Sequence, residues 1–255
     1  MPYIERDGVR IFYEATGSGP PILLTHGYSA TGDMWRGQQE ALSKGHQLIV
    51  WDMRGHGRSD SPDDQAAYSE AATVADMAAL LDECAGSDAQ AAIGGLSLGG
   101  YMSLAFHLAH PERTSALMVF DTGPGYRSDE PRAGWNRMVE RMAARFETEG
   151  LAALGSSAEV RVSSHRSADG LARAARGMLA QHDGRVIDSL PHVAVPTLVL
   201  AGEKDEPFIT STNYMADRIP GATKVIIPDA GHAANIDQPQ AFNRAVIDFL
   251  TTAGW

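Results

Sequence analysis

Ala91-Ala92-Ile93-Gly94-Gly95-Leu96-Ser97-Leu98-Gly99-Gly100 is the stretch whose reading decides the fold. Ala91 to Gly94 is a short, uninterrupted apolar run, the pattern of a strand covered on both faces. From Leu98 to His110 the residues suit a helix, and Pro111 ends it. Between the two lies Gly95-Leu96-Ser97-Leu98-Gly99. A chain that turns sharply from strand to helix lifts the side chain at its apex off the sheet, and that apex is Ser97. The glycines on either side leave room where a Cβ would collide across the turn. The bland alternative is a glycine-rich turn that only packs a helix on a sheet. A phosphate-binding loop fits less well, because the Gly-Lys-Ser/Thr ending is missing.

Outward from this point, strand and helix patterns alternate. Val9 to Ala15 alternates with period two. Ile22 to Thr25, Gln47 to Trp51, Leu117 to Phe120, Thr197 to Ala201 and Lys224 to Ile227 are short apolar runs. Helical patterns at Thr31–Leu42, Ala71–Ala85, Ile209–Ile219 and Pro239–Leu250 fall between or after them; Val74, Met77, Leu80, Leu81 and Cys84 form one apolar stripe. Parallel neighbours need such crossovers, so the expected fold class is α/β, a doubly wound, mostly parallel sheet with helices on both faces. From Thr122 to about Leu190 the strands lapse. Trp135, Met138, Val139 and Met142 mark one amphipathic helix there; Leu171, Ala174, Ala175, Met178 and Leu179 mark another. Three parts are expected: a core over residues 1–121, a helical cap over 122–190, and the rest of the core over 191–255.

Composition narrows the function. The chain has 255 residues, 44% hydrophobic and 21% charged, enough for one well-buried core and against disorder. A formal net charge of −11 repels phosphate backbones and anionic lipid, so neither nucleic acid nor a membrane surface is an expected partner. Cys84, the single cysteine, reads as a small buried hydrophobe in a reducing compartment. The first residues lack the form of a secretory signal, and no apolar run is long enough to span a bilayer. A cytoplasmic location is the expectation. Oligomeric state has no signature in the sequence.

A serine hydroxyl needs a base to become a nucleophile. Of nine histidines, His232 is the candidate: it follows Asp229-Ala230-Gly231 in a late loop that can return to the sheet edge beside Ser97. The base needs an orienting acid. Asp205, just after the strand at Thr197–Leu200, is preferred; Glu203, nearby, and Asp121, after Leu117–Phe120, are rivals. Charge that develops on a carbonyl oxygen calls for backbone N–H donors, and those of Leu98 and Tyr28 are expected to form the oxyanion hole. His26 is read as holding that loop in shape.

Taken together, His26-Gly27, Asp52-Met53-Arg54-Gly55-His56-Gly57-Arg58-Ser59, Gly95 to Gly99, Pro196 to Asp205 and Gly231-His232 resemble the α/β-hydrolase superfamily over most of the chain. The resemblance is greatest to small single-cap members such as 3-oxoadipate enol-lactonases, bacterial carboxylesterases and cofactor-free perhydrolases. It implies an eight-stranded sheet, a helical cap after the sixth strand, an acid after the seventh, and a structural role for residues 52–59. Dehalogenating and epoxide-opening members carry an aspartate nucleophile, and Ser97 disfavours that chemistry. The expected activity is cleavage of a small carboxylic ester or lactone with no cofactor and no metal. Hydrolysis of a C–C bond, perhydrolysis, or ligand reception without catalysis are the alternatives. Beyond Tyr28, pocket-lining is expected of Trp35, Leu96, Trp135, Met138 and Phe208, for each of which an ordinary core position is the plain alternative. Arg127, Arg132, Arg137, Arg141 and Arg145 offer a substrate carboxylate an anchor, or else form a solvated face paired with Glu140, Glu147 or Glu149.

Overall fold

A computed structural model describes residues 3–255. Eight strands form one sheet: β1 Tyr3–Arg6, β2 Val9–Thr16, β3 Pro21–Thr25, β4 Gln47–Trp51, β5 Ala91–Leu96, β6 Thr114–Phe120, β7 Thr197–Gly202 and β8 Thr223–Ile227. Their order is β1-β2-β4-β3-β5-β6-β7-β8. β1 runs antiparallel to β2, and β2 to β4; every later pairing is parallel. The strand at Tyr3–Arg6 was not among those expected. It pairs with β2 through a two-residue turn at Asp7-Gly8, both with positive φ (53° and 73°), the Asp-Gly hairpin that suits the twist of paired strands.

The helices are α1 Arg36–Leu42, α2 Glu70–Ala85, α3 Leu98–Ala109, α4 Asp129–Glu149, α5 Ala158–Arg161, α6 Ala168–Ala174, α7 Arg185–Ser189, α8 Glu206–Arg218, α9 Ala234–Asp237 and α10 Pro239–Thr252. Alternation along each strand feeds two separate cores. On β3, Leu23 joins one face while Ile22 and Leu24 join the other. The first face is covered by α2 through Val74, Met77, Leu80 and Leu81, by α3, and by Met215 of α8. The second is covered by Phe242, Val246, Phe249 and Leu250 of α10 and by Leu42 of α1. Cys84 is only half-buried, at the edge of the first core, and burial still raises its thiol to about 11.

Between β6 and β7 the chain is helical, with α4 to α7 and no strand. The helix expected around Leu171–Leu179 is α6 followed by a π-turn over Ala175–Leu179, a local widening frequent at functional sites.

One topological point positions the site. The chain leaves β3 toward β4 on one side, and β5 returns on the other side of β3. The carboxyl ends of β3 and β5 therefore bound a switch point, where open α/β sheets leave a crevice for ligands. Thr25 pairs with Gly95 at that end, and Ser97 is the first residue beyond β5.

Candidate functional site

Ser97 occupies the turn between β5 and α3 with φ 56° and ψ −117°. A serine in this region is strained, and the surroundings hold it there. Its N–H donates to Phe120 O at 2.9 Å, and its C=O accepts from the Thr122 hydroxyl at 2.6 Å and from Tyr101 N–H at 3.1 Å. The flanking glycines are required by close approach: a Cβ on Gly99 would run into Thr25 O, and one on Gly95 into the Gly99 carbonyl.

The imidazole lies in the loop after β8. His232 Nδ1 is 2.8 Å from Asp205 Oδ2, with Asp205 only 5% exposed at the N-terminus of α8 and His232 32% exposed. A carboxylate on Nδ1 fixes the tautomer that presents Nε2 as the acceptor. Phe208, one turn into α8, stacks on the His232 ring with centroids 5.0 Å apart and planes 30° apart. Phe208 and Ser97 line one cavity of about 160 Å³. Among the described residues, hydrogen bonding closes the imidazole–carboxylate link and leaves the serine hydroxyl without a bond to the ring. Such links commonly tighten only once substrate is bound.

The two rival acids have other partners. Glu203 accepts from Asp229 N–H at 3.1 Å, on the surface. Asp121 is fully buried with φ 46°; its Oδ1 accepts from Gly202 N–H at 2.7 Å, while Oδ2 meets no donor. Its side chain faces Asp205. Burial first, and then the charge of Asp205, push the Asp121 carboxyl well above the usual range. A proton held on Asp121 and shared with Asp205 resolves both the repulsion and the unmet oxygen.

The loop after β3 lies against the serine, since a methyl group at Gly27 would sit 3.4 Å from Ser97 Cβ. The N–H of Leu98 opens α3 and has no intrahelical partner. Among the described residues the N–H of Tyr28 also lacks an acceptor. Both N–H groups are thus free, one on the loop beside the serine and one on the helix that follows it, and the Tyr28 hydroxyl ties its loop to α6 by donating to Leu171 O at 2.8 Å.

Three histidines, His26 and His56 fully buried and His165 half-buried, hold this loop, each with one nitrogen donating and the other accepting. His26 Nδ1–H donates to Gly27 O at 2.7 Å and Nε2 accepts from Met53 N–H at 2.9 Å. His56 joins Arg54 O to Ser29 N–H, and His165, from the segment after α5, joins Ser29 O to Gly57 N–H. A proton on any accepting nitrogen breaks its bond. Burial lowers all three, His26 to about 3 and His56 well below its ordinary value. The unfolded chain takes up these protons below about pH 6.5, whereas the folded chain resists, so their contribution is complete above pH 6.5 and lost as pH falls toward 3. His26 alone is expected to cost about 2 kcal/mol of stability at pH 5. Thermal melts at pH 7.5 and 5.0 should show a marked drop, shallower in His165→Asn; equal melting temperatures would rule out this coupling.

The charged residues of 52–59 are structural here. Asp52 accepts from Gly32 N–H and from Arg58, and Arg54 forms a buried pair with Asp76. Among the pocket expectations, Trp135 and Phe208 line the cavity. Trp35 does not: it is fully buried between Phe120 and Phe242, because a 3-10 turn over Gly32–Trp35 tucks it beneath the sheet. Leu96 points into the same second core, and Met138 packs on the first core instead of the cavity. None of the expected cap arginines lines the cavity either. Arg127 pairs with Asp188, Arg132 with Asp129 and Arg145 with Glu149, while Glu140 and Glu147 both take Arg176. Thr122, Tyr126 and Gln181 line it without having been anticipated.

The family model for the alpha/beta hydrolase family matches residues 22–245. The chain belongs to the alpha/beta hydrolase family. A pimeloyl-[acyl-carrier protein] methyl ester esterase of Aeromonas hydrophila is 30% identical over 93% of this hydrolase and 98% of its own length. Among solved structures, a thermophilic esterase from Thermogutta terrifontis superposes with a TM-score of 0.81 at 30% identity, covering 99% of this chain and 97% of that one. The enol-lactonase from Burkholderia xenovorans LB400 gives 0.78 at 28% identity, covering 98% and 100%. The family implies a small-molecule substrate for this alpha/beta hydrolase. Among the described residues no helix is long and apolar enough to cross a membrane, and no cluster of three or more His, Cys, Asp or Glu side chains is placed to hold a metal ion.

Proposed function

We propose that this hydrolase cleaves small carboxylic esters or lactones through an acyl-enzyme on Ser97. His232 takes the hydroxyl proton as Ser97 attacks the carbonyl carbon, and Asp205 holds the ring and stabilises the imidazolium. The N–H groups of Tyr28 and Leu98 receive the oxyanion. The C–O bond to the leaving alkoxide breaks and His232 returns the proton to it. Water, deprotonated by the same ring, then attacks the acyl-enzyme, and Ser97 leaves. Residues 122–190 cover the cavity as a cap.

The observation that carries this reading is the strained serine at the switch point, sharing its cavity with the aromatic ring stacked on an Asp205-held imidazole. The cavity is below the ~300–1,000 Å³ that drug-sized ligands occupy, which favours short acyl groups. The test is hydrolysis of p-nitrophenyl acetate, butyrate and decanoate. Expected is a kcat/KM of order 10^4 M⁻¹ s⁻¹ or more for the short esters, falling with chain length, and loss of activity on one-to-one reaction with an organophosphate. Stoichiometric ligand binding with no turnover would point to a receptor instead.

A further inference from the structure

One polar atom of the cavity lining is buried without a partner. Gln181 is only 9% exposed and lines the cavity, and its Oε1 is buried without a partner. Three other donors of the lining are already committed and cannot serve it: the Tyr101 hydroxyl donates to Glu70 at 2.8 Å, the Thr122 hydroxyl to Ser97 O, and Trp135 Nε1–H to Leu179 O at 2.8 Å. The oxygen lies over Gly125, where a Cβ would approach it to 2.7 Å. The backbone that carries it is held on both sides. Asn136 of α4 accepts from Gln181 N–H at 2.9 Å and donates to Gln181 O at 2.7 Å. A buried acceptor left unmet on a backbone held in this way is costly unless something donates to it. None of the residues that line the cavity carries a charge.

We propose that Gln181 determines specificity by accepting a hydrogen bond from a hydroxyl or amide N–H on the acyl part of an uncharged substrate. The proposal rests on the ester-cleaving reading and narrows it. An acyl group that bears a carboxylate is disfavoured, since it would be desolvated here without a counter-charge. A neutral acyl chain that bears a donor satisfies Oε1, and a plain alkyl chain leaves it buried and unmet.

The test compares kcat/KM for ethyl butyrate, ethyl 3-hydroxybutyrate and monoethyl succinate, followed by titration of released acid, in wild type, Gln181→Met and Gln181→Glu. Ratios between substrates are read, so a change in overall rate or in the amount of folded protein cancels. Wild type is expected to favour the hydroxylated ester over ethyl butyrate by about 3- to 10-fold, the worth of one net hydrogen bond, and to use monoethyl succinate least. In Gln181→Met the first ratio falls to about 1. In Gln181→Glu the acceptor remains, the preference for the hydroxylated ester persists, and monoethyl succinate falls further. A wild-type ratio near 1, a ratio unchanged in Gln181→Met (as when water alone meets the oxygen), or a preference for monoethyl succinate overturns the proposal. Failure to hydrolyse any of the three overturns the ester-cleaving reading and this one with it; hydrolysis of ethyl butyrate without discrimination overturns this one alone.

Discussion

Ser97→Ala is expected to lower kcat/KM on p-nitrophenyl butyrate by at least about 10^4-fold while leaving the fold intact. The side chain is small, and its hydroxyl takes no part in the bonds that shape the turn, which run through its backbone N–H and C=O. Relief of positive-φ strain is not expected, because alanine tolerates that region no better than serine. A melting temperature near wild type with the activity gone would separate loss of the nucleophile from loss of structure. Residual activity within about tenfold of wild type would mean that another group attacks the carbonyl.

Asp205→Asn is expected to cost about 10^4-fold in kcat, and Asp121→Asn less than about tenfold. The contrast follows from what each carboxyl does. Asp205 accepts from His232 Nδ1, and an amide nitrogen in its place would favour the tautomer that cannot receive the serine proton at Nε2. Burial and the charge of Asp205 favour the neutral form of Asp121, which accepts from Gly202 N–H. Asparagine reproduces that neutral form: its carbonyl accepts from Gly202 and its amide donates toward Asp205. Steady-state kinetics on both variants decides between Asp205 and Asp121, two of the three acids left open by the sequence. A collapse in Asp121→Asn with Asp205→Asn near wild type would transfer the orienting role to residue 121.

The parts of this protein that were legible in its sequence are those set by short-range chemistry. The turn at Gly95–Gly99 declares itself because strand, glycines and helix are adjacent in the chain. Asp205 and His232 follow strands β7 and β8, whose carboxyl ends lie along the same edge of the sheet as that of β5 whatever the chain does between them. His26 was readable as a loop support for the same local reason. The pocket was readable only in part: Trp135 and Phe208 line the cavity, and Trp35, Leu96 and Met138 do not. Trp35 looks like a lining aromatic near the loop after β3, but its neighbours Phe120 and Phe242 arrive from distant strands and helices and bury it. Gln181 carries no motif; it is placed by Asn136 and by the π-turn before it, both consequences of how α4 and α6 pack. The β1–β2 hairpin did carry a signal, the Asp7-Gly8 pair, in a stretch whose alternation before the turn is short.

The proposed reaction requires that Ser97 be a nucleophile activated by the His232 imidazole. A fluorophosphonate probe tests it most directly, with the adduct counted by intact mass and located by peptide mapping in wild type and His232→Ala. One adduct per chain is expected, on Ser97, forming at least about 10^3-fold more slowly without the imidazole. An adduct on a different residue, or equal labelling rates in the two proteins, would contradict it.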